Sequence, residues 1–85
     1  MMEITKRYRI RETIEATQNG QEQIWALIVW RLRISHTTLY RKVDSDIGSE
    51  GPKYEFTPAE LQAIQKIFKE FDIPDINLVQ DTVSV

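Results

Sequence analysis

The run Leu32-Arg33-Ile34-Ser35-His36-Thr37-Thr38-Leu39-Tyr40-Arg41-Lys42-Val43 concentrates side chains that form directed hydrogen bonds or carry positive charge. On a helix starting at Ser35, Leu39 and Val43 fall four apart and share one face. His36, Thr37, Thr38, Tyr40, Arg41 and Lys42 are spread over the rest. A helix of this kind can dock on a core by one edge and present the other to the major groove of DNA. Hydroxyl, imidazole and guanidinium groups read base edges, and arginine and lysine also hold phosphates. The candidate contact residues are Ser35, His36, Thr37, Thr38, Tyr40, Arg41 and Lys42, with Arg31 and Arg33 immediately before them. Several also have a plainer role. Ser35 suits a helix cap, Tyr40 can rest its ring on the core edge with its hydroxyl in water, and Arg31 and Arg33 suit a solvated surface.

Other chemistries find little support. The chain has no cysteine and one histidine, so His36 has no partners for a zinc site. No glycine-rich phosphate loop is present, His36 has no carboxylate beside it in sequence, and the acidic residues follow no metal-binding loop pattern. The expectation is a protein that is not an enzyme, with no cofactor, no metal and no small-molecule ligand.

The charges divide along the chain. Residues 1–43 carry eight Lys and Arg against four acids, net +4, and residues 44–85 carry three against nine, net −6, within an overall −2. This suggests a basic face on the first half and an acidic remainder, although ordinary clustering on a solvated surface gives the same pattern. Lys6, Arg7, Arg9 and Arg11 suit either a basic arm along a DNA backbone or an exposed helix start. The charged N-terminal residues have no apolar segment behind them. The longest apolar run, Ile24 to Trp30, is far shorter than the ~18 residues of a membrane span. A soluble, cytoplasmic protein is therefore expected.

The elements that would position the candidate residues are read as helices. Ile10 and Ile14 predict a first helix from Thr5 to about Gln18, and Asn19-Gly20 signals a turn. Ile24, Leu27, Ile28 and Leu32 predict a second helix from Gln21 to about Arg33. Trp25, Val29 and Trp30 make it apolar on more than one side, which points to a core contact and a homodimer interface. Ser35–Val43 is the third helix, and the polar stretch from Asp44 to Lys53 is a loop. Thr57-Pro58-Ala59-Glu60 carries a threonine cap, a proline at the first helical position and a glutamate three residues after the cap. It opens a helix through Leu61, Ile64, Ile67, Phe68 and Phe71. Pro74 stops this helix, and Asp75 caps a last short one through Ile76, Leu78 and Val79. Residues 1–79 form one helical domain, with 80–85 as a tail or a strand used in dimerisation. The fold class is all-α, a small bundle of four to five helices.

Ile34-Ser35, Thr38-Leu39-Tyr40-Arg41-Lys42 and Val43 resemble the second half of the Fis-type helix-turn-helix, Gly-Ile-Ser-Arg-x-Thr-Leu-Tyr-Arg-Lys-Leu. The order of the other helices, including Phe56-Thr57-Pro58-Ala59-Glu60-Leu61 and Phe71-Asp72-Ile73-Pro74, is similar to phage-repressor and Cro-like domains. The resemblance implies double-stranded DNA as partner and regulation of transcription. It places His36, Thr37 and Arg41 nearest the bases and Ser35, Tyr40 and Lys42 nearest the phosphates. The sequence departs from the pattern at Arg33, where glycine is usual, and at Val29, where a small alanine is usual. A protein-interaction module on the same scaffold, an anti-repressor or adaptor, is the alternative.

Overall fold

The computed structural model describes residues 3–48 and 51–84. Ser49 and Glu50 of the polar loop and Val85 of the tail lie outside the described residues. The element order is β1 (Glu3–Tyr8), α1 (Ile10–Glu15), α2 (Gln21–Leu32), α3 (His36–Asp44), a 3-10 turn at Pro52–Tyr54, α4 (Pro58–Glu70) and β2 (Val79–Ser84). β1 and β2 pair antiparallel, with Glu3 opposite Ser84 and Tyr8 opposite Val79. Among the described residues the architecture is mixed α/β, four helices and a two-stranded sheet, which corrects the all-α bundle expected from the sequence.

Two local readings account for that difference. The helix expected from Thr5 begins only at Ile10, because Glu3–Tyr8 pairs with a strand at the other end of the chain. Ile4, Thr5 and Tyr8 face a segment containing Val79, Thr82 and Val83, and both are rich in residue types that suit a pleated surface. Pairing reaches the threshold of α1, where the Arg9 amide donates to Leu78 O at 2.7 Å. The last short helix is replaced by extended chain. The Ile76 carbonyl accepts from the Gln65 side chain at 2.8 Å, and Asn77 Oδ1 accepts from the Val79 amide at 3.1 Å. These bonds commit groups that a helix would need and turn the chain into β2. The 80–85 tail is therefore, through Ser84, part of a strand paired within the same chain. Asp46 forms an isolated bridge to Arg7 on the other edge of β1, and the Ile47 amide donates to Lys6 O at 2.7 Å.

The helices carry the core. Ile10 and Ile14 of α1, Ile24 and Ile28 of α2, Leu39 and Val43 of α3, and Ile64, Ile67 and Phe68 of α4 are all buried together. Tyr8, Phe56 and Leu78 close the side next to the sheet. At the entry to α2, Gly20 has φ +84° and stands against the Phe71 ring, which an added Cβ would meet at 3.0 Å. Glycine is needed there for both the backbone conformation and the close approach. The α4 start forms the full reciprocal cap: the Thr57 hydroxyl accepts the Glu60 amide and the Glu60 carboxylate accepts the Thr57 amide.

Candidate nucleic-acid interface

α2 and α3 are joined by Arg33, Ile34 and Ser35 alone, a connection of helix-turn-helix length. Arg33 adopts the left-handed conformation, φ 56° and ψ 45°. Its amide and that of Ile34 both point back to the Val29 carbonyl, the latter at 3.3 Å, which satisfies a carbonyl that the helix end would otherwise orphan. The turn thus takes the backbone shape for which glycine is favoured, with arginine in place. Ser35 then caps α3: its Oγ accepts the Thr38 amide at 3.1 Å and donates to Thr38 Oγ1 at 2.9 Å.

Leu39 and Val43 anchor α3 in the core. His36, Thr37, Tyr40, Arg41 and Asp44 are exposed and fall on one helical face, and Thr38 is half-buried beside it. Lys42 separates from this group. It stands three residues from Leu39 on the inward side and is 7% exposed, with Nζ 3.7 Å from Glu60 Oε2 and 5.2 Å from the centre of the Phe56 ring. Its aliphatic stem packs inward and its charge meets the α4 cap, so it does not join the outward set. Arg31 and Arg33 are exposed, and so is Trp30 just before them, at 73%. With Val29 they line an open hollow at the C-terminal end of α2.

The outward face of α3 is extended by residues from other elements. Tyr40 meets Trp25 of α2 edge to face, with ring centres 5.1 Å apart, and stands 6.1 Å from the His36 ring. The Arg11 guanidinium lies 5.4 Å from the Trp25 ring centre and 5.2 Å from that of Tyr40. Its Nε and Nη2 donate to the two Asp44 carboxylate oxygens at 2.7 and 2.8 Å. Those bonds are the chief reason its pKa is pushed above the ordinary arginine value, with burial acting in the opposite direction. Arg7 donates to the Asp44 carbonyl at 2.8 Å and pairs with Asp46 at 3.0 Å. Arg41 lies over the Tyr54 ring at 4.5 Å. Lys6 and Arg9 are exposed on β1 and at the start of α1.

Arg11, Trp25 and Tyr54 were not singled out in sequence as neighbours of the contact helix. Arg11 and Asp44 are separated by 33 positions, and no helical period or turn motif links them. Among the described residues, no group of three or more His, Cys, Asp or Glu is placed to hold a metal ion, and no helix is long and apolar enough to cross a membrane. No protein-family model, curated protein or solved structure significantly matches the chain.

Proposed function

We propose that the chain is a sequence-specific DNA-binding protein that places α3 in the major groove, acting as a small transcriptional regulator or phage-repressor-like protein. The observation that carries this reading is the unit from α2 to α3: a three-residue turn with Arg33 left-handed, a Ser35 cap, and an outward face of His36, Thr37, Tyr40 and Arg41. Those side chains supply donors and acceptors for base edges, and Arg31 and Arg33 lie close in sequence for phosphates. A homodimer on a two-fold site fits the exposed Trp30 of α2. The test is binding to genomic DNA fragments across a salt series. Binding should weaken steeply with added salt, since each neutralised phosphate contributes about 0.9 to the log–log slope. Absence of any complex at low salt would overturn the reading.

The second reading is a protein-interaction module, an anti-repressor or adaptor on the same scaffold. It is favoured by the pairing of Arg7 and Arg11 with Asp46 and Asp44, which neutralises cations that DNA would use, and by the exposed indole of Trp30. A stable complex with a protein partner that Trp30→Ala abolishes, in a chain without DNA affinity, would establish it.

A further inference from the structure

Asp44 closes α3 on the same face as His36, Thr37, Tyr40 and Arg41, where a carboxylate would meet the phosphates of a docked duplex. Its two oxygens fill the Nε/Nη2 fork of Arg11 at 2.7 and 2.8 Å, the same two-point geometry with which arginine grips a phosphate. Beyond that carboxylate, Arg11 lies against the Trp25 and Tyr40 rings, and its Nη1 stands 3.8 Å from Glu15 Oε1. As a stability device the pair is weak. Its side chains are 35% and 51% exposed, a setting in which ion pairs add little, and an aspartate in the last turn of a helix opposes the helix dipole.

We propose that Asp44 is a specificity-determining residue of the α3 interface: it occupies the phosphate-binding fork of Arg11 and lowers sequence-independent DNA affinity, leaving the base-reading side chains of α3 untouched. The proposal rests on the DNA-binding reading. Removing the carboxylate exposes a guanidinium already seated beside the interface, which then takes one additional phosphate. Binding to any duplex strengthens, and the margin between a specific site and bulk DNA shrinks.

The experiment measures binding of the full chain to a short mixed-sequence duplex by fluorescence anisotropy over a salt series. The variants are Asp44→Asn, Asp44→Asn combined with Arg11→Gln, and Glu70→Gln. Glu70 is exposed at the far end of α4 from the Glu60–Lys42 contact and controls for a general change of charge. Asp44→Asn should steepen the salt slope by about 0.9 and tighten binding several-fold at low salt. The double variant should return to the wild-type slope, and Glu70→Gln should leave it unchanged. Circular dichroism melts confirm folding, and Asp44→Ser carries the same expectation if the asparagine variant folds poorly. A wild-type chain that binds DNA, with an unchanged slope in the Asp44 variants or an equal change in Glu70→Gln, overturns this proposal and leaves the DNA-binding reading standing. If neither the wild type nor any variant binds at low salt, both are overturned.

Discussion

Arg41 and Lys42 are neighbours in sequence with opposite placements. Arg41 is exposed over the Tyr54 ring, and Lys42 is buried with its ammonium turned to Glu60. If α3 reads DNA, Arg41→Ala should remove about 1–3 kcal/mol of discrimination between a bound fragment and mixed-sequence duplex, with melting behaviour retained. Unchanged discrimination would take Arg41 out of base reading. Lys42→Met keeps the length of the stem and removes the charge. Stability should then fall by about 1–3 kcal/mol in urea unfolding, since Glu60 loses its cation but keeps the Thr57 amide and part of its contact with water. The salt slope of DNA binding should not move, whereas a lysine on a phosphate would forfeit about 0.9. The spacing of Leu39 and Val43 made the inward direction of α3 legible. It did not show how wide that side is, and position 42 falls within it. Arg11 was legible only as a charge near the start of the chain, because its place beside Tyr40 comes from packing between elements remote in sequence.

At the scale of elements, the turn between α2 and α3 stores a small strain that can be measured. Arg33 holds the left-handed conformation without the freedom of glycine, so Arg33→Gly should stabilise the domain by about 0.5–1 kcal/mol, read as a higher melting temperature. A lower melting temperature would mean that the arginine side chain contributes more than its backbone conformation costs. Thr57→Ala should act in the opposite sense, removing about 1 kcal/mol by leaving the Glu60 amide without its acceptor. Both sites were legible in sequence for a physical reason: caps and turns are local, set by residues within a few positions of one another. α2, α3 and α4 were visible for the same reason. β1 was not, because Ile10 and Ile14 extend a helical period backwards into Thr5–Tyr8, and only β2 makes that segment a strand. The Asn77 side chain likewise diverts a short apolar pattern from helix to extended chain.

Across the whole molecule, β1 is the clasp that joins distant parts. It pairs with β2 on one edge, bridges to Asp46 on the other, and at its end places Tyr8 among the core residues. The Tyr8 ring stands edge-on to Phe56 with centres 4.9 Å apart, and its hydroxyl oxygen accepts the Phe56 amide at 2.9 Å. The phenol therefore links the first strand to the segment leading into α4. Burial pushes its pKa above the ordinary value of 10.0, the amide bond counteracts this, and the charges of Glu55 and Glu60 act in the same direction as burial. A raised folded pKa means that the neutral phenol is favoured by folding. This contribution is fully present below the unfolded value of 10.0, and it is lost as pH rises from there through the folded value, because the unfolded chain releases its proton first. Urea unfolding of the wild type from neutral to strongly alkaline pH should show stability falling in that window. Tyr8→Phe should lower stability at neutral pH by about 1–3 kcal/mol, since the buried Phe56 amide loses its acceptor, and should flatten the alkaline decline. An equally steep decline in the Phe variant would assign the alkaline loss to other groups and leave Tyr8 as a packing residue alone.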